Sequence, residues 1–220
     1  MHPTRPHDAV LPGRPEQNPA HATHDPIRGK QERIISGSYR GRHIHPPSGF
    51  NARPTTDFAK ESLFNILIHQ MDIGTLDVLD LFSGTGSIAY EFASRGARSV
   101  VAVENNPRHH RFISQTVREL DLTNVEVLRA DVFRYLLKPV QGFDLIFADP
   151  PYSHPRLADL PGLVLDGPLL LPGDTSFWSI PPNMLLKKHP RFLQIRNTEV
   201  SIQLLQASDP SPRSPVSVDP

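Results

Sequence analysis

The sequence predicts an α/β fold in which helices cover both faces of a mainly parallel sheet, with a small β-hairpin ahead of it. Two observations carry that expectation. Leu76 to Phe82 is a largely apolar run that enters the glycine-rich turn Ser83-Gly84-Thr85-Gly86 and then a helical stretch from Ser87 to Arg95, as a buried strand feeding a tight turn and a helix would read. Three further short runs, Ser99–Glu104, Val125–Asp131 and Phe143–Ala148, alternate with helical periodicity at Asn106–Leu120 and Val132–Leu137, the pattern of repeated βα units.

Composition sets the limits of that domain. The chain has 220 residues and 24 prolines, and the prolines gather in Met1–Pro26 and Asp209–Pro220, where Pro, His, Ser and Asp replace any apolar period. The expected division is a disordered leader over 1–31, a hairpin over 32–52, the main domain over 53–206 and a disordered tail over 207–220. The leader reads as a disordered arm or the product of a misplaced start codon. Its His2, His7, His21 and His24 are too irregularly spaced to make a metal site. The chain has no cysteine, which excludes disulfides, thiolate metal sites and a cysteine nucleophile. No run reaches the about 18 apolar residues of a membrane span, and the N-terminus lacks the apolar core of a signal peptide. A cytoplasmic location is therefore expected. Net charge is zero, which argues against bulk capture of nucleic acid but leaves room for a local patch.

Such a patch is expected first. Arg33 to Ile44 reads as strand, glycine turn and strand, and Lys30, Arg33, Arg40, Arg42, Arg53 and Lys60 outnumber Glu32, Asp57 and Glu61. A phosphate backbone would bind there. Thr55 or Thr56 can cap a helix whose apolar stripe is Ala59, Leu63, Phe64, Ile66 and Leu67. Pro54 fixes an extended lead-in that leaves the Arg53 guanidinium free.

The central turn reads as a cofactor turn. Gly84 and Gly86 permit a close backbone approach, and the helix N-terminus behind them offers unpaired N–H donors. Asp80 places an acid beside the turn, where it would repel a pyrophosphate and hold a cationic amino-acid group such as that of S-adenosylmethionine. Glu104 ends the next strand about 20 residues beyond the glycines, the place of an acid that takes ribose hydroxyls in nucleoside-binding folds. Asp131, at the end of the third strand, can accept from an adenine amino group or cap the helix after it. Arg108, His109, His110 and Arg111 read as a solvated helix face.

The fourth strand runs into Asp149-Pro150-Pro151-Tyr152. Two prolines lock an extended backbone and remove N–H donors, so the local carbonyls and the Asp149 carboxylate are left as acceptors. That suits an exocyclic amine. Acceptors that hold both of its hydrogens let the nitrogen leave ring conjugation and attack an electrophilic methyl, while Tyr152 supplies a stacking face for the base.

Together these residues resemble a class I S-adenosylmethionine-dependent methyltransferase with an amine-methylating motif, built on a Rossmann-like sheet. Arg33-Ile-Ile-Ser-Gly37, Arg40-Gly-Arg42, Arg53-Pro-Thr-Thr-Asp57, Glu61-Ser-Leu-Phe-Asn65, Leu79-Asp-Leu-Phe-Ser-Gly-Thr-Gly86 and Asp149-Pro-Pro-Tyr152 resemble more narrowly the RsmD family, bacterial 16S ribosomal RNA guanine-N2 methyltransferases. The resemblance spans about Arg33 to Gly173. It implies that Asp80, Phe82, Ser83, Gly84 and Gly86 line the methionine part of S-adenosylmethionine, that Glu104 and Asn105 lie at its ribose, and that Asp131 and Val132 lie at its adenine. It further implies that Asp149, Pro150, Pro151 and Tyr152 hold the target guanine, unstacked into the pocket, while Arg40, Arg42 and Arg53 hold the surrounding 16S rRNA of the small ribosomal subunit. No metal is needed, and a monomer is expected.

After Gly173 the sequence departs from the family pattern. A strand ending in Leu-Glu-His and a later Tyr-Gly are expected, whereas Asp174 to Leu186 includes Pro181-Pro182, which cannot sit inside a central strand. Permitted codons for Phe177–Leu185, read from the third base, give Leu-Glu-His-Ser and then Lys-His-Ala. Asn197–Ser201 likewise re-reads as Tyr-Gly-Gly-Val, with His189-Pro190-Arg191-Phe192 in frame between them. Insertions or deletions that shift the frame are therefore expected, with aberrant C-terminal strands and an out-of-frame tail. Three rival functions stay open from the residues alone. An adenine-N6 or cytosine-N4 amino methyltransferase shares the Asp-Pro-Pro-Tyr motif. An oxidoreductase would share Gly84-Thr-Gly-Ser-Ile-Ala89 with Glu104 as ribose acid, but has no place for Asp80. The third is an inactive homologue with a damaged C-terminus.

Overall fold

The computed structural model describes residues 31–50, 55–138, 141–167 and 169–179, together with the backbone of two short strands at 192–193 and 202–206. The leader, Arg53, Pro181-Pro182 and the tail lie outside the described residues.

Two short strands open the described part of the chain. β1 (Glu32–Arg33) pairs antiparallel with β2 (His43–Ile44), Glu32 opposite Ile44 and Arg33 opposite His43. α1 (Asp57–Ile68) follows, and of the two candidate caps Thr56 is the one used, its hydroxyl accepting the Ala59 N–H at 3.1 Å. This satisfies one of the first-turn donors that a helix leaves unpaired.

Then come the alternating units: β3 (Asp77–Leu81), α2 (Ser87–Ser94), β4 (Ser99–Glu104), α3 (Pro107–Glu119), β5 (Val125–Arg129), α4 (Val132–Leu137), β6 (Phe143–Ala148), α5 (Leu160–Leu165), β7 (Leu170–Ser179), β8 (Phe192–Leu193) and β9 (Ile202–Gln206). The sheet order is β5-β4-β3-β6-β7-β9-β8. β3 is parallel to β4 and β6, β4 to β5 and β6 to β7, while β9 runs antiparallel to β7 and to β8. β7 holds Leu170 opposite Phe143 and regains pairing at Thr175 opposite Leu145, with residues 171–174 out of register. Pro172 and Gly173 fall in that interruption, where a missing donor costs no ladder bond.

The period of two along the central strands explains why both faces are covered. Val78, Val100, Ala102, Leu145 and Phe147 face one core with Leu63, Phe64, Leu67, Ile88, Phe92 and Ile113 from α1, α2 and α3. Leu79, Leu81, Val101, Val103, Ile146 and Ala148 face the other, with Val132, Phe133 and Leu136 of α4 and Leu160 and Val164 of α5. The hairpin joins the first core through Ile34 and Ile44. No helix among the described residues is long and apolar enough to cross a membrane.

The connections leave β3 in one direction, through β4 to β5, and return on its other side at β6. The strand order reverses between β3 and β6, and in sheets of this kind the binding crevice lies at such a reversal, outside the strands' C-terminal ends.

Candidate active site

The glycine turn after β3 and the Asp149-Pro150-Pro151-Tyr152 stretch after β6 meet at that reversal. Leu81 pairs with Ala148, so Phe82 and Asp149 leave adjacent strands side by side. The backbone turns hard there: Phe82 has φ 61°, Gly84 58° and Gly86 83°. A bulky residue in the left-handed region is strained, and such strain gathers at functional sites. Gly86 is required twice over, because a Cβ there would come within 2.6 Å of the buried Tyr90 ring.

Asp80 is 1% exposed, and its Oδ2 has no hydrogen-bond partner among the described residues. Burial, with Asp149 and Glu104 as neighbouring acids, pushes its carboxyl up to about 8 even though the Ser83 hydroxyl favours the ionised form. Among the described residues the charges acting on it are those of other acids, so this carboxyl is buried without a compensating cation among them.

Glu104 has a second duty that its strand-end position did not reveal. Its Oε2 accepts the Gly84 N–H at 2.8 Å and its Oε1 accepts the Asn106 N–H at 2.7 Å, so one carboxylate braces both the glycine turn and the start of α3. Lone pairs remain for a ligand hydroxyl, since a carboxylate offers about four acceptor sites. Asn105 is exposed beside it.

Asp131 takes the cap role among its two readings, accepting the Arg134 N–H at 3.0 Å as N-cap of α4. Val132 is 2% exposed and packs in the core, so it has only backbone to offer a ligand. At the Asp-Pro-Pro-Tyr motif Pro150 is buried, Asp149 half-buried, Pro151 exposed and Tyr152 50% exposed. The exposure of the motif thus rises from Pro150 to Tyr152.

Several contacts were not legible in sequence. The His154 ring stacks on Phe133 at 4.6 Å, Phe82 lies edge-on to Phe133 at 6.1 Å, and the Arg156 guanidinium sits 4.5 Å above the Phe133 ring. This ladder joins the loops after β3 and β6 to α4. The expected solvated face of α3 is only half so: Arg108 and Arg111 are exposed, but His109 stacks on Phe50 at 4.4 Å and lies 3.9 Å from Glu104. His110 turns toward the Val127 carbonyl at 3.4 Å. Both imidazoles bury apolar ring area against neighbours that the helical period does not name.

Arg40 and Arg42 are exposed but stand apart from this crevice. The hairpin tip is tied to the far end of α2, where Ser38 N–H donates to the Ser94 carbonyl at 2.7 Å and Tyr39 N–H to the Ser94 hydroxyl at 3.0 Å. α2 starts at the glycine turn and spans about 12 Å at 1.5 Å per residue. Arg40 lines a groove of about 860 Å³ at that opposite edge with Glu61, Phe64, Met71 and Arg95.

This order and crevice, with an acid-lined glycine turn and an Asp-Pro-Pro-Tyr loop on adjacent strands, define a class I methyltransferase. The family described as Conserved hypothetical protein 95 matches residues 32–174, and the chain belongs to that family, the RsmD methyltransferases. Ribosomal RNA small subunit methyltransferase D of Buchnera aphidicola is 36% identical over 132 residues, covering 60% of this chain and 67% of that one. Its Escherichia coli namesake is 30% identical over 136 residues, covering 62% and 68%. Among solved structures, Escherichia coli yhhF gives a TM-score of 0.71 at 26% identity, covering 81% of this chain and 99% of that one. A Thermus thermophilus 16S rRNA N2 methyltransferase in complex with AdoMet and guanosine shares the fold, with a TM-score of 0.63 at 23% identity over 81% of this chain and 50% of that one.

Proposed function

We propose that this protein uses S-adenosylmethionine to methylate the exocyclic N2 amine of a guanine in 16S ribosomal RNA. The observation that carries the reading is the placement of two groups on neighbouring strands: the buried Asp80 carboxyl, whose Oδ2 has no hydrogen-bond partner among the described residues, and the Asp149-Pro150-Pro151 loop, whose two prolines bring no N–H donor. The family's ribosomal RNA small subunit methyltransferases support the substrate class.

When bound, S-adenosylmethionine supplies an electrophilic methyl group whose departure leaves a neutral thioether. Asp80 would hold the cofactor's ammonium, the Ser83–Gly86 backbone its carboxylate end, and the spare Glu104 lone pairs its ribose hydroxyls. Asp149 and the carbonyls of the loop accept the two amine hydrogens of the guanine. A carbon–nitrogen bond forms as the nitrogen lone pair turns from the ring to the methyl, and the surplus proton leaves through Asp149 to water. Alignment of the two reactants supplies most of the rate. Tyr152, half-exposed at the rim, would stack on the extruded base.

The test is methyl transfer from labelled S-adenosylmethionine to small-subunit RNA lacking the modification, followed by nucleoside analysis. Label in N2-methylguanosine supports the reading. Label in N6-methyladenosine or N4-methylcytidine assigns the motif to another base, and cofactor binding with no transfer in any RNA contradicts the substrate.

A further inference from the structure

The glycine turn has little stiffness of its own, since Gly84 and Gly86 both sit at positive φ that glycine reaches freely. Its shape must be held from outside. Gly86 N–H donates to the Ser83 carbonyl at 2.7 Å and Gly84 N–H to Glu104 at 2.8 Å, both within the sheet and its own loop. The third restraint comes from elsewhere in the chain: the Thr85 hydroxyl donates to Oε2 of Glu32, in β1, at 2.8 Å.

Glu32 is 4% exposed and Thr85 5%. Around Glu32 the hairpin docks through Ile34 and Ile44, and docking alone would be served at less cost by an apolar side chain than by a buried acid. Its Oε1 and the Ser87 hydroxyl, at the first residue of α2, have no hydrogen-bond partner among the described residues. Burial raises the carboxyl above its usual range, opposed by the Thr85 hydroxyl, the Lys60 charge and the Ser87 hydroxyl. A polar group kept in this position against its desolvation cost is placed for what it holds.

We propose that Glu32 is a positioning residue for the methyl donor: through the Thr85 hydroxyl it fixes the Gly84–Gly86 turn in the shape that receives the cofactor. Hairpin docking and cofactor binding are thereby coupled, and the hairpin contributes to a site that its basic tip does not reach. This rests on the cofactor assignment above.

The experiment is calorimetric titration of the full chain with S-adenosylmethionine, alongside thermal melting, for wild type, Glu32→Ala, Glu32→Gln, Thr85→Val and the Glu32→Ala/Thr85→Val double variant. Glu32→Ala and Thr85→Val each weaken binding about tenfold at temperatures well below their melting points, as loss of a buried charged hydrogen bond implies. Glu32→Gln stays within about threefold of wild type because its amide oxygen still accepts. The double variant is no weaker than Glu32→Ala, since both changes remove one interaction. Unchanged affinity with a lowered melting point, or losses that multiply in the double variant, overturns the proposal. If Glu32→Ala does not fold, Thr85→Val against wild type decides by the same criterion. A wild-type chain that binds no S-adenosylmethionine overturns the cofactor assignment itself and this inference with it.

Discussion

Asp80 shows most clearly how one residue turns burial into selectivity. With its carboxyl raised to about 8, the free protein holds it protonated at neutral pH, and a cation arriving there must displace that proton. Affinity for S-adenosylmethionine should therefore rise with pH toward about 8 and fall again once the ligand's own α-ammonium loses its proton. Proton release on binding, read by titration calorimetry in buffers of differing ionisation enthalpy, checks this. The stability sign is opposite to that of a salt-bridged acid. Between the unfolded carboxyl range and about 8 the folded chain binds the extra proton, so this group's contribution falls as pH rises through that window. Asp80→Asn should accordingly raise the melting temperature of the free protein at pH 9 while abolishing cofactor affinity; an unchanged affinity would remove Asp80 from the site. Gly86→Ala, which puts a Cβ 2.6 Å from the Tyr90 ring at φ 83°, should cost at least about 1 kcal/mol in urea unfolding and weaken the cofactor as well. The glycines, Asp80 and Asp149 could be singled out in sequence because the chemistry proposed for them follows from residue type and local spacing. That Glu32 and Glu104 brace the turn was not legible, because hydrogen bonds between residues 32 and 85 or 84 and 104 leave no trace in a local pattern.

At the scale of elements, a buried ion cluster fastens the hairpin to the first two helices. Lys60 of α1 is 1% exposed, donates to the Arg33 carbonyl and lies 3.3 Å from Glu91 of α2. Glu91, fully buried, also accepts the Ile35 N–H at 2.7 Å and pairs with Arg95, whose guanidinium lies 3.8 Å over the Phe64 ring. At the far end, a Cβ on Gly37 would fall 1.9 Å from the Ser94 carbonyl oxygen, so the tip is pressed against α2. Removing one partner strands a buried charge, and Lys60→Met should cost about 3–5 kcal/mol in equilibrium urea unfolding. A cost under about 1 kcal/mol would show the cluster to be solvated. The helices were legible from their apolar stripes, and Lys60 was read only as part of a basic region. Its burial follows from tertiary docking, which helical periodicity does not encode.

At the scale of the whole molecule, the reversal between β3 and β6 places Asp80 and the Asp149-Pro150-Pro151 loop on neighbouring strands, and the hairpin carries its arginines to the opposite edge. RNA must span both if Arg40 and Arg42 bind it. Replacing both with alanine should weaken RNA affinity irrespective of sequence and lower the slope of log K against log salt by about 1 to 2, a measurement made by filter binding across salt concentrations. An unchanged slope would place the phosphate contacts elsewhere. The parallel core of the sheet was legible because its strands are buried on both faces. The C-terminal strands were not: Thr175–Ser179 departs from the family pattern, yet its backbone pairs with β6 on one side and β9 on the other. Backbone pairing tolerates sequence that a side-chain motif does not, since every residue but proline brings a donor and an acceptor.

The claim that one crevice binds the methyl donor and presents the amine is tested most directly by measuring cofactor affinity and methyl transfer together in Asp149→Ala. Near wild-type affinity is expected, because the role proposed for Asp149 is at the amine, together with transfer reduced at least about a hundredfold. Full transfer by that variant, or loss of cofactor binding equal to the loss of transfer, would contradict it.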